Sequence, residues 1–228
     1  MTPWILLDRV PIVGERSELR LYRRENEFSI RISRRGELMN SRDHASEEAL
    51  AELACRRLVR RERPRLLIGG LGMGFTLAAA LKALGEDAQV LVAELLSAVV
   101  AWNRGPLGEP AGWPLTDARV AVREIDVARI LQSHRSVYDA ILLDVDNGPE
   151  GLTTEANNWL YGADGLSAAY SALCPGGVLA VWSAGPDRAF NARLRKIGFD
   201  VEEVIVRSRG AKGRRYVIWL AARRGEIG

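Results

Sequence analysis

One stretch constrains the fold more than any other: Arg65-Leu66-Leu67-Ile68-Gly69-Gly70-Leu71-Gly72-Met73-Gly74-Phe75, followed by Val90-Leu91-Val92-Ala93-Glu94. An apolar run enters a glycine cluster, the cluster opens into a helical pattern over 76–84, and a second apolar run ends on a carboxylate. That is the strand, turn, helix, strand and acid order of a nucleotide-binding βαβ unit. Glycine lets the backbone approach a ligand because no Cβ intervenes, and the helix that follows aims its unpaired N–H groups at whatever sits there. Glu94 is expected to accept hydrogen bonds from a ribose diol. The spacing also excludes something. A dinucleotide fingerprint needs glycine at the first, third and sixth positions, and counting from Gly70 the sixth is Phe75.

The bulk properties narrow the class. A chain of 228 residues suits one α/β domain with a small addition, and 47% apolar residues is enough for a full core. A net charge of +3 is too mild to imply nucleic acid. Cys55 and Cys174 have no partner at metal-ligand spacing, so no metal site is expected, and two isolated thiols fit a reducing cytosol. Cys55 reads as a small core residue of an amphipathic helix. No run approaches the ~18 apolar residues of a membrane span. Met1-Thr2-Pro3-Trp4 lacks the features of a signal peptide. The expectation is a cytoplasmic protein without membrane or nucleic-acid partners.

Residues 1–40 read differently from residues 41–228. Leu19-Arg20-Leu21-Tyr22-Arg23 and Phe28-Ser29-Ile30-Arg31-Ile32 alternate around Glu25-Asn26-Glu27, which predicts a β-hairpin with one wet face. Residues 41–61 read as a helix with Asp43, Glu47 and Glu48 near its start, where the helix dipole favours acids. Beyond it, strands are predicted at 65–69, 89–94, 118–123, 139–144 and 177–183. Helices are predicted at 75–84, 96–103, 127–133, 164–173 and 187–197. Ala140-Ile141-Leu142-Leu143 is apolar without alternation, as expected of a strand covered on both faces. Runs at 201–207 and 215–222 predict a closing antiparallel pair. The basic link between them, with Arg207, Arg209, Lys212, Arg214 and Arg215, reads as a solvated edge loop. The fold class is therefore α/β: a seven-stranded, mostly parallel, Rossmann-like sheet with helices on both faces, preceded by a small β-hairpin.

In an open parallel sheet the ligand lies beyond the carboxyl ends of the strands. This picks out the Gly70, Gly72 and Gly74 bend, Glu94, Asp126 and the run Asp144-Val145-Asp146-Asn147-Gly148-Pro149. Asp126 can accept from an adenine amino group or cap the helix at 127–133, and Ile125 can lie along the adenine face. The acids at 144–146 need a cation, and an amine substrate supplies one. A carboxylate can then hold the amine and take its proton. A turn-forming Asx cluster is the bland alternative. Trp102, Trp113, Trp159 and Trp182 are candidate pocket walls, with Trp182 at the ligand end of its strand. His44 and His134 read as surface or cap residues.

The glycine pattern Gly70-x-Gly72-x-Gly74 resembles that of S-adenosylmethionine-type transferases, and the strand pattern resembles the class I methyltransferase fold. Tyr138-Asp139-Ala140-Ile141-Leu142-Leu143-Asp144, a polar stretch and Pro149 then resemble a signature of the spermidine synthase family. Leu160-Tyr161 and Leu173-Cys174-Pro175-Gly176-Gly177-Val178-Leu179 resemble its next helix, turn and strand, and Ser41-Arg42-Asp43 its segment after an N-terminal hairpin. The resemblance spans about residues 19–222. It implies Gly70, Gly72, Gly74, Glu94 and Asp126 around the nucleoside, and Asp144 receiving the attacking amine; the residues themselves add Ile125 to the nucleoside site and Asp146 beside Asp144. Glu47, Glu48 and Trp182 would contact the acceptor.

The implied activity is transfer of an alkyl (aminopropyl) group from decarboxylated S-adenosylmethionine, or from S-adenosylmethionine, to a small-molecule amine. Methylthioadenosine or S-adenosylhomocysteine would be the product, no metal is required, and a homodimer is implied by the family's habit. The departures are Leu71 and Met73 where the family has Gly and Asp, Leu38 for a glutamine, Asn147 for the second motif aspartate, and Glu47-Glu48-Ala49 for Tyr-His-Glu. They leave open methyl transfer to another acceptor, and nucleoside binding without polyamine synthesis.

Overall fold

The computed structural model describes residues 2–12, 16–145, 159–209 and 212–225. The chain first forms a four-stranded antiparallel sheet, β1 (Ile5–Pro11), β2 (Glu18–Arg24), β3 (Glu27–Ile32) and β4 (Gly36–Asn40), paired in sequence order. The central pair is the predicted hairpin, with Leu19 opposite Ile32 and Leu21 opposite Ile30, all four buried. The outer strands are additions to that reading. β1 places Ile5, Leu6 and Leu7 in solvent and breaks register between Leu6 and Asp8, so it carries no clean alternation to read. β4 is five residues long and has a register shift of its own.

Asn40 ends β4 and turns the chain. Its Oδ1 accepts the N–H groups of Arg42 and Asp43, both at 3.0 Å. The helix then runs as α1 (Ala45–Arg56), shorter at both ends than predicted. A regular alternation follows: β5 (Arg65–Gly69), α2 (Phe75–Ala83), β6 (Gln89–Glu94), α3 (Ser97–Asn103), β7 (Val120–Glu124), α4 (Val127–Ser133), β8 (Tyr138–Leu143), α5 (Ala163–Ala172), β9 (Leu173–Ser183), α6 (Arg188–Ile197), β10 (Asp200–Arg209) and β11 (Lys212–Ala222).

The second sheet has strand order β10-β11-β9-β8-β5-β6-β7. β7, β6, β5, β8 and β9 run parallel, and β11 is antiparallel to both β9 and β10. This is the class I methyltransferase order. Successive residues point to opposite faces of a strand. Leu66 and Ile68 thus join a core with α1, α2 and the N-terminal sheet, while Leu67 joins a core with α4, α5 and α6. Both faces are covered, which is why Ala140 to Leu143 shows no polar alternation. Each such aliphatic side chain contributes about 1.5–3 kcal/mol when fully buried. After β5 the chain moves outward to β6 and β7, then returns to place β8 on the other side of β5. That switch in direction opens a crevice at the carboxyl ends of β5 and β8.

Candidate active site

The glycine bend is stitched into both neighbouring strands. Gly70 N–H donates to the Ala93 carbonyl (2.9 Å), and Asp144 N–H donates to the Gly69 carbonyl (3.0 Å). Gly70 has φ +89°, and a Cβ there would lie 2.4 Å from the Asp144 carbonyl oxygen. Only glycine allows the ends of β5 and β8 to approach this closely. Glu94 ties the bend from the other side. Its Oε2 accepts Leu71 N–H at 2.9 Å and its Oε1 accepts Leu96 N–H at 2.8 Å. These two bonds fix the Glu94 carboxylate in the wall of the crevice beside the bend.

Sequence reasoning missed Asn103, which supports the bend from below. Fully buried at the end of α3, its Nδ2 donates to the carbonyls of Gly72 and Val99, both at 2.9 Å. Gly74, the N-cap of α2 at φ +85°, sits so close that a Cβ would come within 2.8 Å of Asn103 Oδ1. An isolated asparagine in an apolar helix gives no local sequence signal of this role.

Beside the bend lies a largely apolar crevice. Gly70, Gly72, Glu94, Ile125, Asp126 and Asp144 all line it. Asp126 also caps α4, its Oδ1 accepting Ala128 N–H at 2.9 Å. The cap reading of Asp126 is thus seen, and the residue lines the crevice in the same conformation. Residues of the N-terminal sheet, Leu19, Ile30 and Ile32 among them, form the opposite wall.

A second cavity adjoins the first. It holds about 440 Å³, far more than the ~10–15 Å³ one water needs. Among the described residues, four acids line it from separate segments: Glu37 of β4, Asp43 before α1, Glu47 of α1 and Asp144 after β8. Trp182 of β9 and Tyr216 of β11 add an aromatic wall, their ring centroids 4.8 Å apart. Arg214 is also in the lining, with its guanidinium 5.7 Å from the Tyr216 ring centroid. Leu71 and Met73, both buried, make the wall apolar on the side of the glycine bend.

The acids are held in place by hydroxyls. Thr76 Oγ1 donates to Asp144 Oδ2 at 2.6 Å, and Ser46 Oγ donates to Glu47 Oε2 at 2.6 Å. Burial, reinforced by the nearby Asp144 charge, pushes the Glu47 carboxyl up to about 7. Burial also raises Asp144, and the Thr76 hydroxyl opposes that rise. The Tyr216 phenol is raised by burial, with Arg214 acting against it and Glu47 with it. Asp144 lines both cavities, so one carboxylate faces the crevice and the acidic compartment at their junction.

The fold thus brings together Gly70, Gly72, Glu94, Ile125, Asp126, Asp144, Glu47 and Trp182 around two adjoining cavities. Gly74 lies beneath, against Asn103. Glu48 is set apart. One residue along α1 is a turn of about 100°, and Glu48 Oε1 lies 3.2 Å from His44 Nδ1 instead of lining either cavity. His44 itself stacks on Phe75, ring centroids 4.1 Å apart. Asp146, with Asn147 to Pro149, lies outside the described residues. Of the other tryptophans considered, Trp102 is buried and donates to Asp8 Oδ2 at 2.7 Å, and Trp113 is half exposed. Cys55 is a core residue whose thiol is pushed up to about 12 by burial, which leaves it inert.

Thr76, Glu37, Arg214 and Tyr216 were not expected in the site. Arg214 and Tyr216 alternate along β11 onto one face, a signal hidden in a loop that reads as merely basic. Among the described residues, no group of three or more His, Cys, Asp or Glu is arranged to hold a metal ion, and no helix is long and apolar enough to cross a membrane.

No protein-family model matches the chain, and no curated protein matches it in sequence. Solved structures do match. The spermidine synthase from Thermotoga maritima superposes with a TM-score of 0.73 over 95% of this chain and 72% of its own, at 17% identity. A spermidine synthase in complex with the transition state analogue AdoDATO gives 0.72 over 95% of this chain and 72% of its own, at 16% identity. A probable spermidine synthase from Corynebacterium glutamicum gives 0.62 over 93% and 81%, at 19% identity. At such identities the likeness is one of fold, and in fold the chain is spermidine synthase-like over nearly its whole length.

Proposed function

We propose that this chain is a spermidine synthase-like transferase. It would bind an S-adenosylmethionine-type sulfonium nucleoside in the apolar crevice and pass its aminopropyl group to an amine held in the acidic cavity. The observation that carries the reading is the place of Asp144, in the wall common to both cavities. A reacting carbon bonded to sulfur on one side and an amine on the other would meet at that carboxylate. The fold neighbours named as spermidine synthases, one of them holding AdoDATO, support the same reading.

The donor carries its own activation, because sulfonium is a good leaving group. The protein needs only to align the attack and manage one proton. Glu94 and the glycine bend would hold the ribose, and Ile125 and Asp126 the adenine. Asp144, fixed by Thr76, would orient the amine and accept its proton. The nitrogen lone pair forms the new C–N bond, the C–S pair returns to sulfur, and methylthioadenosine leaves.

A second reading, methyl transfer from S-adenosylmethionine, draws on one observation. Leu71 and Met73 make the bend side of the acidic cavity apolar, and residues 70–74 themselves carry no carboxylate to hold a donor amine. Turnover assays distinguish the two. Decarboxylated S-adenosylmethionine with a diamine should give methylthioadenosine, and Asp144→Asn should slow this by about 10²–10⁴-fold. Production of S-adenosylhomocysteine from S-adenosylmethionine, with no methylthioadenosine from the decarboxylated donor, would replace the first reading with the second.

A further inference from the structure

We propose that Glu47 and Asp144 act as one acid pair, which holds a single shared proton while no amine is bound and releases it to solvent when an ammonium ion enters. Glu47 thereby becomes the residue that sets amine affinity. The inference rests on the acidic cavity being the amine site.

The geometry is specific. Glu47 comes from α1 and Asp144 from the end of β8, and both line one cavity. Each has one oxygen tied to a hydroxyl, Glu47 Oε2 to Ser46 and Asp144 Oδ2 to Thr76. The same Thr76 Oγ1 lies 3.4 Å from the Glu47 carbonyl, so one side chain links the two segments. Hydroxyl donors are neutral, and neither carboxylate forms an ion pair among the described residues.

Among the described residues, Arg214 is the cationic side chain in this lining, and it forms no ion pair with Glu47 or Asp144. Glu37 of β4 and Asp43 before α1 add negative charge, and Tyr216 of β11 is a neutral phenol. Arg214 of β11 is exposed, with its guanidinium over the Tyr216 ring. Glu48 and His44 face each other away from the cavity lining. Two partly desolvated carboxylates in one wall resist ionising together, and they titrate as a pair. The rise of Glu47 to about 7 agrees with this arrangement.

The sign follows directly. Below about pH 7 the pair keeps its proton. An ammonium ion supplies the charge that lets both carboxylates ionise, so one cation entering expels up to about one proton. A ligand without positive charge, such as methylthioadenosine in the crevice, gives no such exchange.

Two measurements test this. In the first, 1,4-diaminobutane is titrated calorimetrically at about pH 6.5 in buffers of different ionisation enthalpy. The buffer dependence should report proton release, and Glu47→Gln should abolish it. Glu47→Gln should also weaken diaminobutane binding on the order of tenfold, with methylthioadenosine affinity unchanged. In the second, carboxyl-labelled glutamate is followed by carbon NMR. The resonance missing from Glu47→Gln should titrate near 7, and should move back toward ordinary glutamate in Asp144→Asn. A Glu47 resonance titrating like the other glutamates overturns the proposal, whatever the enzyme turns over. So does diamine turnover or binding without proton release, and so does no binding of diaminobutane at all. Proton-linked diamine binding with no transfer from either donor supports the pair and removes the proposed reaction instead.

Discussion

At Asp126, one carboxylate serves a helix and a crevice together. Its Oδ1 caps α4 through Ala128 N–H while the residue lines the crevice proposed to hold the nucleoside. Asp126→Ala should cost about 1 kcal/mol of stability and weaken nucleoside binding. Asp126→Ser keeps a cap and removes the charge, so it should restore stability without restoring affinity. Thermal denaturation beside a methylthioadenosine titration separates the two, and full affinity in Asp126→Ser would reduce the residue to a cap. Glu47 carries a different signature. Its folded value of about 7 stands above the ordinary 4.5, so between these values the folded chain binds more protons than the unfolded one. Stability contributed by this group is therefore present below the ordinary value and is lost as pH rises toward 7. Glu47→Gln should melt above the parent protein at pH ~8 and beside it at pH ~4, which a pair of melting series checks. An equal difference at both pH values would show that Glu47 is not desolvated as described.

Among the elements, β5 and β8 carry the site between them, and their two ends serve opposite purposes. At the carboxyl end, Gly70 combines a positive φ with a close approach to the Asp144 carbonyl. Gly70→Ala should cost about 1–3 kcal/mol in strain and abolish nucleoside binding, because the bend must move. At the amino end, buried Asp139 accepts Arg65 N–H at 2.9 Å and lies 3.5 Å from the Arg61 guanidinium. Asp139→Ala orphans that N–H and should cost about 1–3 kcal/mol while leaving nucleoside affinity intact. Urea denaturation with a binding titration on each variant reads both outcomes. An Asp139→Ala protein with full stability would contradict the strand-clamping role.

The strands that read well, β5 and β6, are apolar runs bounded by glycine or acid, and the structure places them at the predicted residues. β1 and β4 were illegible because β1 faces solvent along most of its length and β4 is short and irregular. The crevice was legible for a related reason. Its acids stand at strand ends, where periodicity marks the place. The acidic cavity was only half legible, because Glu37, Asp43, Thr76 and the Arg214–Tyr216 pair come from four separate segments and meet only in three dimensions.

On the scale of the whole molecule, the N-terminal sheet covers the crevice at the carboxyl ends of the parallel strands. Leu19, Ile30 and Ile32 supply the outer wall of the crevice, and Trp102 of α3 holds β1 through Asp8. The site therefore belongs to neither sheet alone. The glycine bend, Glu94, Asp126 and Asp144 stand at the ends of the parallel strands, Asp43 and Glu47 flank the start of α1, and the apolar cover and Glu37 come from the antiparallel sheet. The most direct test is isothermal calorimetry with methylthioadenosine on the parent protein and on Glu94→Ala, which removes the acceptor at the centre of the crevice. Saturable one-to-one binding to the parent, weakened at least about a hundredfold in Glu94→Ala, is the expected result. No heat of binding from methylthioadenosine, S-adenosylmethionine or its decarboxylated form, or equal affinity in the two proteins, would contradict an adenosine sulfonium site in this crevice.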